Sequence, residues 1–196
     1  MVPFKLDVAD PKTIEKSLEL VETNLRQGQG LHAIVNNAGI LRAGFDDWIS
    51  ADEYEECLKV NTFGAIRVTE KFRHLVKKEQ GRIVMMSSIA GRISLPGCGP
   101  YVVSKFAVEA YADTIRRELY PFGVKVSIIE PGFHRTAITE DKLWIDLFTK
   151  AWKKAPESVK KEYGGMDFLT KYHLLLSKLL NSPVNSKNRS RGRGIL

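Results

Sequence analysis

The chain has 196 residues, 43% of them hydrophobic and 27% charged, with a mean hydropathy of −0.20. That profile is of one globular domain with a sizeable core, and excludes collagen-like, disulfide-rich and wholly disordered chains. Of the formal +7 charge, four units come from Lys187, Arg189, Arg191 and Arg193, which leaves +3 for the rest.

No run of 18 or more apolar residues occurs, so no segment reads as a bilayer span, and the start lacks a signal-peptide core. Cys57 and Cys98 stand far apart without CxxC or Cys/His spacing. No metal site is expected, and a reducing compartment is. The tail from Pro183 to Leu196 is basic and rich in Ser, Asn and Gly. It reads as a solvated, disordered segment, and without interleaved aromatics it gives no case for nucleic-acid binding.

In chain order, Phe4-Lys5-Leu6 reads as a short strand ending at Asp7. Asp10-Pro11 opens a helix to about Leu25, with Pro11 in its first turn and Ile14, Leu18 and Val21 on one face. His32 to Asn36 is a buried strand running into Asn37-Ala38-Gly39. Residues 51–78 make a long helical stretch broken near Gly64. Arg82 to Ser87 is the next strand, after a turn at Gly81. A helix runs from Pro100 to about Tyr120, with Gly123 as its stop signal. Val124 to Ile129 is a further strand, closed by Pro131-Gly132, and residues 140–180 are helical, amphipathic and aromatic-rich. Strands alternating with helices imply a parallel α/β sheet.

Four local patterns lie where strands hand over to loops or helices, the place where open parallel sheets bind ligands. Asn36-Asn37-Ala38-Gly39 combines small residues with amides, and serves equally as a ligand-facing turn or a plain one. Tyr101 and Lys105 are spaced i, i+4 and share a helix face. A cation one turn from a phenol favours its ionised form, which brings tyrosine toward acid–base use. Ser88 ends a strand thirteen residues before Tyr101. Pro131-Gly132, with Thr136 following, is another strand-end loop. Each pattern alone also fits an ordinary structural role.

Together, Asn36-Asn37-Ala38-Gly39, Asn61, Ser88, Tyr101 with Lys105, and Pro131-Gly132 resemble the short-chain dehydrogenase/reductase family, over Leu6 to about Tyr172. The resemblance implies a Rossmann-type parallel sheet with helices on both faces and a cofactor, NAD or NADP. Tyr101 would then exchange a proton with the substrate oxygen, Lys105 would lower the tyrosine pKa and bond the nicotinamide ribose, and Ser88 would polarise the carbonyl or alcohol. Asn61 would organise a proton-relay water. Asp7 and Val8 would meet the adenine; Asn36, Ala38 and Gly39 would lie against the ribose; and Pro131, Gly132 and Thr136 would flank the nicotinamide. This is general acid–base catalysis beside a hydride carrier.

Arg116-Arg117-Glu118-Leu119, Glu130-Pro131-Gly132-Phe133 and Phe168-Leu169-Thr170-Lys171-Tyr172 are similar to the retinol and 17-beta-hydroxysteroid dehydrogenase branch, with 3-hydroxybutyrate dehydrogenase as a relative. That branch implies a hydrophobic alcohol or ketone as substrate, an apolar lid over about 140–180, and homodimers formed through the helices at 51–78 and 100–120. Many of its members sit at the endoplasmic reticulum through an N-terminal apolar segment. Without that segment, this chain is expected in the cytoplasm.

The family's TGxxxGxG phosphate loop does not occur. Gly28-Gln29-Gly30 follows a helix instead of opening one, so no helix N-terminus there faces a pyrophosphate. The expected domain at residues 1–182 therefore lacks its first βαβ unit, and the strand at 33–36 becomes a sheet edge. A catalytically inactive fragment or isoform, unable to bind cofactor, is the second expectation.

Overall fold

In the computed structural model, residues 3–132 and 140–180 are described. Three strands, β1 (Ala33–Asn36), β2 (Arg82–Met86) and β3 (Lys125–Ile129), form one parallel sheet in the order β1-β2-β3. The register pairs Ile34 with Ile83 and Ile83 with Val126, which puts these side chains on the same face. Against that face pack α1 (Pro11–Asn24), α3 (Phe63–Lys78) and α4 (Gly99–Leu119). Ile14, Phe72, Val76, Val108 and Ala112 join the strand residues in one core cluster.

Local chemistry accounts for the helix ends. Asp10 caps α1 by accepting from the Lys12 amide, with Pro11 at the first helical position. Ser50 and Glu53 make a reciprocal capping box at the start of α2 (Ala51–Asn61). The break in the 51–78 stretch falls at Thr62, two residues before the expected Gly64. The Thr62 hydroxyl donates to the Ser104 carbonyl at 3.0 Å, so a tertiary bond sets the break. Gly64 instead makes room for a neighbour. A Cβ there would lie 2.6 Å from Val8 Cγ2, so the missing side chain seats the N-terminal segment on α3.

One expectation needs correction. Phe4-Lys5-Leu6 is not a strand, because among the described residues no strand pairs with it. It is an extended segment whose Leu6 packs on the core cluster, followed by a turn in which Asp7 is bonded to Thr13 and Ala9. The open parallel sheet with its helices is the expected α/β arrangement. On the second sheet face Val35 and Ile129 are 59% and 45% exposed, and the described helices α1, α3 and α4 lie against the first. As expected, among the described residues β1 pairs on one side only. Gly28 to Gly30 form a turn from helix to strand, with the Gly30 amide donating to Glu79.

The last helices, α5 (Asp141–Lys154), α6 (Glu157–Glu162) and α7 (Met166–Leu180), cover a second core cluster. Phe45 and Trp48, from the loop after β1, pack there with Phe148, Trp152, Tyr163, Phe168 and Tyr172. Lys154 on α5 is tied to Glu53 on α2 at 2.8 Å. Burial works to raise the Glu53 carboxyl, but its bonds from Lys154 and Ser50 prevail and hold its pKa at about 2.

Candidate active site

The carboxyl end of β2 and the first turns of α4 bring the chemistry-bearing residues together. Ser88 leaves β2 in an extended conformation and caps the short turn Ile89–Gly91, accepting from the Ala90 amide at 3.1 Å. Its hydroxyl neighbours the Tyr101 phenol and favours the ionised form of that group. Burial pushes that phenol above its ordinary pKa, while the Ser88 hydroxyl pulls the other way. Lys105 lies one helical turn on, with Nζ 5.5 Å from the centre of the Tyr101 ring. It donates to the Met86 carbonyl at 2.8 Å, and burial lowers its pKa to about 8. The expected lowering of the tyrosine pKa is thus outweighed by desolvation of the phenol.

Asn61, buried at the end of α2, makes two bonds to one backbone residue. Its Oδ1 accepts from the Ile40 amide at 2.8 Å and its Nδ2 donates to the Ile40 carbonyl at 3.0 Å. Nδ2 also reaches Ser104 Oγ at 2.9 Å, and Ser104 Oγ donates to the Tyr101 carbonyl at 2.7 Å. Asn61 therefore fastens the loop after β1 to the turn carrying Tyr101. Gly39 passes over this joint: a Cβ there would stand 3.4 Å from Asn61 Oδ1 and 3.8 Å from Lys105 Nζ.

Beside β1 lies a cavity of about 190 Å³ lined by Leu6, Val8, Val35, Asn36, Asn37 and Ala38, with Ala65 and Val68 behind. Asn36 Nδ2 is held by Thr69 Oγ1 at 3.1 Å, which orients the amide at its rim. The Asp7 carboxylate is turned onto the Ala9 amide at 2.8 Å. Pro131 stands at the exit of β3, its carbonyl accepting from the Ile89 amide at 3.1 Å, which joins it to the Ser88 turn. Gly132 is next to it on the open side. Thr136 lies outside the described residues, as does the basic tail.

Sequence reasoning passed over Ser104, Thr62, Arg92 and Glu109. Ser104 sits inside the Tyr101–Lys105 motif, and Glu109 follows Lys105 at the same helical spacing, so the signal was the period of α4.

The description "short chain dehydrogenase" belongs to the family model that matches residues 1–144. This chain belongs to that family. It is 43% identical over 182 residues to the 17-beta-hydroxysteroid dehydrogenase type 6 of Bos taurus, covering 92% of this chain and 56% of that protein. Identity to the human retinol dehydrogenase 5 is 37% over 177 residues, or 90% of this chain and 55% of that one. The mitochondrial D-beta-hydroxybutyrate dehydrogenase of Rattus norvegicus is also 37% identical, over 164 residues, 82% of this chain and 48% of that protein. The chain thus spans about half the length of these curated relatives. Among solved structures, an NADPH-bound carbonyl reductase from chicken fatty liver matches with a TM-score of 0.66 and 26% identity, covering 70% of this chain and 60% of that one.

Proposed function

We propose that this short-chain dehydrogenase is an oxidoreductase that transfers a hydride between NAD or NADP and a hydrophobic alcohol or ketone of the retinol or steroid type. The observation that carries the reading is the placing of Ser88 beside the Tyr101 phenol, with Lys105 Nζ 5.5 Å from the Tyr101 ring. NAD or NADP supplies the hydride acceptor or donor. The cavity beside β1 and the small residues from Asn36 to Gly39 fit such a ligand at the carboxyl end of a strand. Leu6, Asp7, Val8, Asn36 and Ala38 would hold its adenosine side, and Lys105, Pro131, Gly132 and Thr136 its nicotinamide side.

Tyr101 then gives a proton to the substrate oxygen in reduction and takes one in oxidation, while Ser88 holds that oxygen. The Lys105 ammonium stabilises the phenolate, and Asn61 keeps the loop after β1 closed on α4. Because burial raises the Tyr101 pKa, reduction runs with the phenol in its ready form at neutral pH. Oxidation needs the phenolate and speeds up as pH rises. The apolar substrate is supported by the aromatic cluster under α5–α7 and by the names of the relatives. A homodimer would use the exposed Phe63, Val103 and Phe106 on α3 and α4. Association with the endoplasmic reticulum is carried over from the resemblance, while among the described residues no helix is long and apolar enough to cross a membrane.

The second reading, a chain that binds no cofactor, is favoured by the unpaired side of β1 and the partly bare second sheet face. NADH and NADPH fluorescence titrations separate the two, followed by an alcohol screen. Saturable binding, with turnover reduced about 10²- to 10⁴-fold in Tyr101→Phe, supports the dehydrogenase. A folded sample that binds neither dinucleotide establishes the second reading.

A further inference from the structure

Four charged side chains meet behind the Ser88 turn. Glu109 follows Lys105 by one turn of α4, and the two residues are each 4% exposed. Neither Glu109 oxygen accepts a hydrogen bond among the described residues, although Arg92 Nη2 stands 3.1 Å from Oε2 as an ion pair. The same Arg92 Nη2 lies 2.8 Å from Glu130 Oε1, which also accepts from Arg92 Nε at 3.0 Å. One guanidinium is therefore shared between two carboxylates, with its better hydrogen bonds going to Glu130. That leaves the Glu109 carboxyl with no hydrogen-bond donor of its own among the described residues. The ammonium one turn up the helix is Lys105, whose acceptor is the Met86 carbonyl.

Close packing keeps Glu109 in place. A Cβ on Gly91 would lie 3.0 Å from Glu109 Cγ, 3.1 Å from its Oε1 and 2.6 Å from Ser87 Oγ. The glycine lets the Ser88 turn press directly on the carboxylate. Water is kept from both charges, so their interaction is screened far less than a surface pair would be.

We infer that Glu109 is a positioning residue for the proposed active site: its buried carboxylate, metered by Arg92, is the counter-charge that keeps the Lys105 ammonium protonated beside Tyr101. The consequence for catalysis rests on the dehydrogenase reading; the charge coupling itself does not. Lys105 also faces Tyr101 from its own helix and the Cys57 thiol from α2, and both are neutral at pH 7 with their pKa values raised by burial. Asp113, further along α4, acts on Arg92 and not on Lys105. Burial drives Lys105 toward neutrality, and Cys57 and then Glu109 oppose it. A neutral lysine would stop favouring the phenolate.

The test follows the ε-carbon signal of Lys105 by NMR against pH in the full chain with labelled lysines, assigned with Lys105→Arg. In Glu109→Gln the midpoint should fall by about one pH unit, and Glu109→Asp should restore most of it. Arg92→Gln, at a site half open to solvent, frees the full carboxylate charge and should move the midpoint up. Opposite signs from two partners of one ion pair are not what loosened packing produces. Circular dichroism confirms folding, and if Glu109→Gln does not fold, Arg92→Gln decides alone. An unchanged or downward midpoint in Arg92→Gln overturns the inference, as does an unchanged one in folded Glu109→Gln. Because the titration needs no substrate, shifts of the expected sign beside undiminished turnover in Tyr101→Phe would sink the dehydrogenase reading and leave the coupling standing.

Discussion

Lys105 is a lysine taken almost wholly out of water, and its pKa of about 8 has a consequence for stability. The unfolded chain carries this group at its ordinary value of 10.5, so between pH 8 and 10.5 the unfolded state binds more protons. Stability from this group therefore rises with pH across that window, by about 3 kcal/mol in all. Cys98, whose thiol burial pushes to about 12, works in the opposite sense above pH 9. The contribution is isolated by comparing the native chain with Lys105→Met in urea melts at pH 7 and pH 10. The stability advantage of Lys105→Met over the native chain should shrink at the higher pH, and a pH-independent difference would contradict the assignment. Tyr101, Ser88 and Asn61 were legible as chemistry in the sequence because their spacing matches a known pattern. The direction of the Tyr101 shift was not, since desolvation depends on what α4 packs against.

Among the elements, the helix–strand joints carry the tightest constraints. Gly81 links α3 to β2 at a point where β1 and β3 both begin. Its amide donates to the Val76 carbonyl, its carbonyl accepts from Lys125, and the next amide, Arg82, donates to His32. A Cβ on Gly81 would strike the His32 carbonyl oxygen and lie 2.7 Å from that of Leu31. Those are backbone atoms fixed by the sheet register and cannot move aside cheaply. Gly81→Ala should cost about 1–3 kcal/mol in a chemical melt with no loss of helix content. The sequence marked this glycine as a turn, but the wall of carbonyls around it exists only in the assembled sheet. The α2–α3 break shows the same limit: glycine propensity pointed to Gly64, whereas the Thr62–Ser104 bond put the break at Thr62.

At the scale of the whole molecule, β1 is an edge strand with Val35 exposed on the bare face of the sheet. An apolar, unpaired edge invites pairing with another chain, and a lysine there blunts it. Val35→Lys should leave the melting temperature nearly unchanged and reduce concentration-dependent association measured by light scattering; unchanged association would remove β1 as its cause. By itself the sequence determined the parallel α/β class, the helix start at Asp10, the Tyr101–Lys105 pairing on one helix face, and the resemblance that names the family. These depend on neighbours within a turn or two, or on a linear order of motifs. Tertiary structure alone decided that Phe4 to Leu6 is unpaired among the described residues, that the second face is partly bare, that Asn61 fastens Ile40 to Ser104, and that Arg92 is shared between Glu109 and Glu130. Those outcomes depend on which strands and charges stand adjacent across the fold, and adjacency between distant segments is written in packing, not in local pattern.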